Sequence, residues 1–244
     1  MGQIKAIAKR EWGAYFNSPV AYVFIVIFLA LAGFFTFSVS QFYEAGQADL
    51  GGFFIWHPWL YLILVPAVAM RLWAEERRTG TLELLLTLPV TPMQAIAGKF
   101  LSAWAFLVMA LLLTFPVVLT TRYLGKPDPG VIFCGYLSSA LLAGSYLAVG
   151  LFTSALTRNQ VISFILSVVF GLFLILAGFP PVTDFLVKIA PPWLVAGIAS
   201  ASFIPHYDMM QRGVIELRDV LYFAGVIIFF LLATQVVLKS RTSK

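Results

Sequence analysis

The 244-residue chain is 61% hydrophobic and only 11% charged, with a mean hydropathy of +0.93. Soluble domains carry about 25% charged residues, so a soluble globular fold is excluded. The net charge of +5 is spread over short loops rather than gathered on a folded basic surface, which excludes a nucleic-acid-binding module. Continuous apolar runs of about 20 residues, rather than alternating ten-residue segments, imply an all-α polytopic membrane protein and not a barrel.

In chain order, residues 1–15 place Ile4, Ile7, Ala8, Trp12 and Tyr15 on one helical face and Lys5, Lys9 and Arg10 on the other. That pattern suits a helix lying in the membrane interface, not a cleaved signal. Asn17-Ser18-Pro19 ends it before a first span at 20–40. A polar loop with Glu44, Asp49 and Gly51-Gly52 leads to a short second span at 59–73, starting as early as 53 and kinked at Pro66. A charged insert occupies 74–98. Near its end, Thr91 caps a helix, Pro92 takes the first helical position and Gln94 closes a capping box.

The third span follows at 100–121, with a bend at Pro116. A polar turn at 122–130 precedes the fourth at 131–156, where Ala140, Gly144 and Ala148 recur every four residues and permit close helix contact. Thr157-Arg158-Asn159-Gln160 turns the chain into a fifth span at 161–179. Pro180-Pro181, Pro191-Pro192 and Pro205 then cut the 180–218 region into apolar pieces at 182–190 and 193–204. Both are too short to cross a bilayer and read as re-entrant or interfacial helices. A sixth span at 220–238 ends in a basic tail.

With both termini in the cytoplasm, that side holds eleven of the sixteen basic residues and only four of the eleven acidic ones. The positive-inside rule therefore favours six spans in this orientation. No phosphate-binding GxxxxGK[ST] loop, His-Glu-x-x-His or Gly-x-Ser-x-Gly is present, so the chain has no recognisable nucleotide site, catalytic residue or bound cofactor. His57, His206, Met209 and Met210 are residue types that bind copper, but their spacing defines no coordination geometry, and packed residues are the preferred reading. Cys134, the lone cysteine, reads as a small buried apolar side chain.

The insert carries the functional signal. Gly80 permits an abrupt turn, Thr81 caps a short helix from Leu82, and Glu83 falls near its positive end. Leu82, Leu84, Leu85, Leu86 and Leu88 make that helix strongly apolar, and Pro89 and Pro92 bound it. Such a knob fits a partner's groove; an interfacial helix held by lipid is the other reading, and the pattern alone leaves both open.

The stretch Trp73-Ala74-Glu75-Glu76-Arg77-Arg78-Thr79-Gly80-Thr81-Leu82-Glu83-Leu84-Leu85-Leu86-Thr87-Leu88-Pro89-Val90 resembles the signature of type-2 ABC transporter permeases. It is most similar to the gliding-motility and nitrous-oxide-reductase-maturation branch. The resemblance implies one permease domain over 1–244 in a bacterial plasma or inner membrane, with an elbow helix at 1–15, a coupling region at 74–98 and outer re-entrant helices within 180–218. It implies two cytoplasmic ABC ATPase subunits that bind ATP and Mg, a second permease copy or paralogue, surrounding lipids, and room for an extracytoplasmic accessory protein. Glu75, Glu76, Arg77, Arg78, Gly80, Thr81, Glu83, Leu84, Leu85 and Leu86 become the coupling residues, with Arg158 in a second contact. The implied function is the transmembrane half of an ATP-driven transporter; a non-transporting scaffold or mechanotransducing subunit is the alternative.

Overall fold

Several helix starts in this chain are set by short polar side chains, three of them followed by proline. In the computed structural model, which describes residues 2–44, 46, 48–80 and 91–242, Ser18 caps α2 (Pro19–Phe34) by accepting from the Val20 amide at 3.4 Å. Thr91 and Gln94 form the expected capping box at the start of α6 (Pro92–Leu112), with bonds of 3.3 and 3.0 Å. Asp128 caps α8 (Pro129–Leu156), and Asn159 caps α9 (Gln160–Leu176) through the amides of Val161 and Ile162. Each cap satisfies amides that the first helical turn leaves without a partner.

Around these starts the described residues form thirteen α-helices and one π turn, with no strand. The amphipathic α1 (Gly2–Phe16) is followed by α2, which runs into the π turn Phe35–Val39. Next come α3 (Gly51–Phe54), α4 (His57–Ala69) and α5 (Arg71–Thr79), which together make one run of 29 residues. That run is roughly 43 Å long at 1.5 Å per residue, against about 30 Å of hydrocarbon core. The second span is thus longer than the sequence suggested, and the polar α5 forms its end. Helix α6 breaks at Leu113–Thr114 and continues as α7 (Phe115–Leu124), so the bend expected at Pro116 falls at that helix start.

Among the described residues, five helical stretches are long and apolar enough to cross a membrane, and six if α9 and α10 (Pro180–Val187), bent by 68°, count as one broken span. Pro180-Pro181 explains the bend: proline lacks the amide needed to continue the ladder. The 180–218 region departs from the two-piece expectation. It holds α10, α11 (Pro192–Ser200) and α12 (Phe203–Gln211) before the last span, α13 (Leu217–Thr242). Ser202, whose hydroxyl accepts from the Ile204 amide, starts the third helix inside the expected second piece. The protein is an all-α polytopic membrane protein.

Helix α8 is the axis of the bundle, buried on all sides over residues 142–151. Small residues make this possible. Gly150 abuts Ala69, and a Cβ at Gly171 would lie 2.8 Å from Tyr146 and 2.9 Å from Leu62. Gly144, from the expected small-residue stripe, faces Trp104 and Ile227, and the Trp104 indole donates to the Ala140 carbonyl at 2.8 Å. Close contact of this kind is what holds helices together where lipid removes the hydrophobic drive. Apolar side chains such as Val26, Val161, Phe173 and Phe229 face outward on α2, α9 and α13, as a lipid-facing surface requires.

Candidate functional site

Helices α1, α5 and α6 converge at one end of the bundle, and a lysine sits at their junction. Lys99, at the start of the third span, is 3% exposed. Its Nζ lies 2.8 Å from Glu76 Oε1 on α5 and 3.3 Å from Glu11 Oε1 on α1. Arg10 also donates to Glu11 Oε1, at 2.7 Å. The indole of Trp73 flanks the ammonium, with its ring centroid 5.2 Å away. A buried cation with two carboxylates and an aromatic face is well compensated; without a partner, any of the three charges would be costly to keep out of water.

Glycine sets how closely the elbow approaches. A Cβ at Gly98 would lie 2.7 and 2.9 Å from atoms of Ile7 and 3.3 Å from the Ile4 carbonyl. Beside this contact, Tyr15 stacks on Phe106 with centroids 5.0 Å apart. Burial tends to raise the Glu11 pKa, but Lys99 and then Arg10 outweigh it and hold the carboxyl below its ordinary 4.5. Tyr15 is pushed up, chiefly by burial, and stays neutral.

A second set of bonds joins α5 to the end of α8. The Ser154 hydroxyl accepts from the amides of Trp73 and Ala74, both at 3.0 Å, and donates to the Met70 carbonyl at 2.9 Å. These bonds serve backbone groups at the α4–α5 joint. The Arg77 guanidinium donates to the Ala155 carbonyl. Helix α5 is therefore held from two sides, and it ends at Gly80, whose φ of +75° is the left-handed conformation that glycine takes without strain.

Of the coupling residues expected from sequence, Glu76 and Arg77 lie in this network. Glu75 is 3.8 Å from Arg78, with both side chains substantially exposed, so that pair contributes little. Arg158 is exposed in the turn between α8 and α9. Thr81, Glu83, Leu84, Leu85 and Leu86, with the whole apolar knob, lie outside the described residues. Sequence reading missed Lys99, Glu11, Ser154 and Gly98 as parts of a site. The available signal was a lone lysine on the apolar side of a capped helix start.

The histidines do not share a site. His57 is buried among Phe28, Phe53, Phe54 and Tyr61, and its Nδ1 lies 2.8 Å from the Ser139 hydroxyl. His206 pairs with Asp219 at 2.6 Å and stacks on Tyr222. No group of three or more His, Cys, Asp or Glu side chains able to hold a metal occurs among the described residues. Cys134 is buried, with Sγ 3.8 Å from the Gly213 carbonyl.

The family model for ABC-2 family transporter proteins matches residues 5–192, from the elbow helix through the start of α11. The chain belongs to the ABC-2 transporter family. No curated protein matches it. As an ABC-2 protein it is a membrane permease component, a transmembrane subunit that is not itself catalytic, and the family implies association with ABC ATPase partners. The Lys99 junction, the α5 helix and the Ser154 clamp all fall within the matched residues.

Proposed function

We propose that this permease receives work from a separate ATP-hydrolysing subunit through the α1–α5–α6 junction, and passes it into the bundle along α5 and α8. The supporting observation is the bridge from Lys99 to Glu76 and Glu11. It links the two flanks of the 81–90 segment, which leaves α5 and returns to α6, and ties both to the elbow helix. A force applied to that segment would then reach α8 through Ser154 and Arg77 rather than dissipate in a loose loop.

On this reading the elbow end faces the cytoplasm, in keeping with its basic bias, and residues 81–90 carry the apolar knob that docks in the motor. ATP and Mg bind the motor subunits. Two permease copies form the path, and the likeness of the Trp73–Val90 stretch to the gliding-motility and nitrous-oxide-reductase-maturation branch suggests the subfamily. A partner can bias a two-state permease only by binding one state better than the other. A rigid junction converts that preference into helix motion.

The test is co-purification with the native ATPase, followed by ATPase and flux assays in proteoliposomes. Lys99→Met and Glu76→Gln are expected to retain motor binding while uncoupling hydrolysis from flux. Unchanged coupling in both variants contradicts the proposal. Motor-driven movement of the permease with no flux of any solute or lipid would favour the scaffold or mechanotransducing alternative.

A further inference from the structure

A cleft of about 240 Å³ opens beside the Lys99 junction, between α1, the start of α2 and α5. The charges of Glu11, Lys99 and Glu76 are already committed to one another at its inner end. Three further donor side chains stand on its walls. Arg71 makes no ion pair among the described residues; its guanidinium rests over the Tyr15 ring, 5.9 Å from the centroid. Tyr15 is 5% exposed, and its hydroxyl has no hydrogen-bond partner among the described residues. Ser18 uses an oxygen lone pair to cap α2, leaving its hydroxyl proton to donate.

Glu75 lines the same cleft. It sits one helical turn after Arg71, the spacing at which opposite charges commonly pair. Here they do not: Arg71 turns toward Tyr15, and Glu75 toward Arg78 at 3.8 Å. A guanidinium and a carboxylate thus line one cleft without pairing with each other, and the Tyr15 and Ser18 side chains line it with them. Leaving a buried hydroxyl without a partner is unfavourable, and a ligand oxygen would remove that penalty. The cleft lies where the amphipathic α1 meets the first residues of a span, and a helix of that kind lying in the membrane interface would set the cleft at the depth of lipid headgroups.

We propose that this cleft binds the headgroup of a zwitterionic phospholipid of the phosphoethanolamine class. Arg71, Tyr15 and Ser18 hold the phosphate, and Glu75 holds the ammonium. Guanidinium presents paired donors that match phosphate oxygens, and Glu75 supplies the selectivity for an amine. A lipid seated there would fasten the elbow helix to the bilayer at the junction.

The test is native mass spectrometry of the full-length permease in detergent, titrated with phosphatidylethanolamine or phosphatidylglycerol of matched acyl chains. One phosphatidylethanolamine per chain is expected to bind about fivefold or more tighter than phosphatidylglycerol. Arg71→Lys should weaken it about tenfold, and Tyr15→Phe about threefold. Tyr15→Phe keeps the ring on Phe106, so it answers the question should a change at Arg71 disturb the fold. Glu75→Gln should abolish the preference between the two lipids while leaving binding itself. Equal affinity of Arg71→Lys, Tyr15→Phe and the parent protein, or a preference for phosphatidylglycerol, overturns the proposal. Competition by inorganic phosphate at the lipid concentration would assign the site to a soluble anion and also overturn it. None of these readouts involves the motor.

Discussion

At the elbow end of the bundle, three helices meet on a buried ammonium held by two carboxylates. At the opposite end, the ledge of α10 to α12 is fastened mainly by hydroxyls donating to carbonyls: Tyr207 to Phe54 at 2.8 Å, Tyr222 to Ala201 at 2.6 Å and Ser202 to Ile175 at 3.1 Å. The His206–Asp219 contact is, among the described residues, the one acid–base pair that joins the ledge to the last span. Neutral bonds each contribute modestly and can fail one at a time. A charge triad is held or lost as a unit, because removing one member strands the others. The elbow end is therefore held or released as a unit, whereas the ledge can loosen bond by bond.

That contrast breaks most sharply at Lys99. Lys99→Met leaves Glu11 and Glu76 facing each other and should destabilise the junction by about 3–5 kcal/mol, read as faster proteolysis within α1 and a lower Tm. Gly98→Val should cost about 1–3 kcal/mol, since its Cβ would enter the space of Ile7, and it should release the elbow while leaving the ledge intact. Tyr207→Phe should lower stability by only about 1–3 kcal/mol, with motor coupling unchanged.

Acid sharpens the comparison further. The Glu11 pKa is lowered in the folded state, so its contribution is present above the ordinary carboxylate value and is lost as pH falls through the folded one. The elbow should stay docked at mildly acidic pH and detach only below about 4.5, the ordinary value. In Lys99→Met, burial is left opposed only by Arg10, and detachment should move to higher pH. Fluorescence of Trp12 against pH reads both curves.

Much of this architecture was legible because it is written locally. The caps at Thr91 and Asn159, Pro92 behind the first of them, and the turn at Gly80 act within a few residues of themselves. The elbow's two faces show in its periodicity. Lys99 did not show, because its partner Glu11 lies 88 positions away and charge spacing says nothing about which helices will touch. In sequence it was one more cation supporting the topology. Ser154 was hidden for a similar reason: a serine in an apolar span looks like a small packing residue until a backbone joint is placed against it. The third ledge helix was missed because Pro205 reads as a breaker, whereas here it sits in the first turn of α12, where proline is tolerated.

The most direct test of the junction as one transmitting unit is electron-spin distance measurement on the permease–ATPase complex, with labels at Lys5 and Arg78. On ATP binding, the Lys5–Arg78 separation within one chain should keep its value while the Arg78–Arg78 separation between two copies shortens. A Lys5–Arg78 distance that changes with nucleotide in the parent protein would show elbow and α5 moving apart, and would contradict the account.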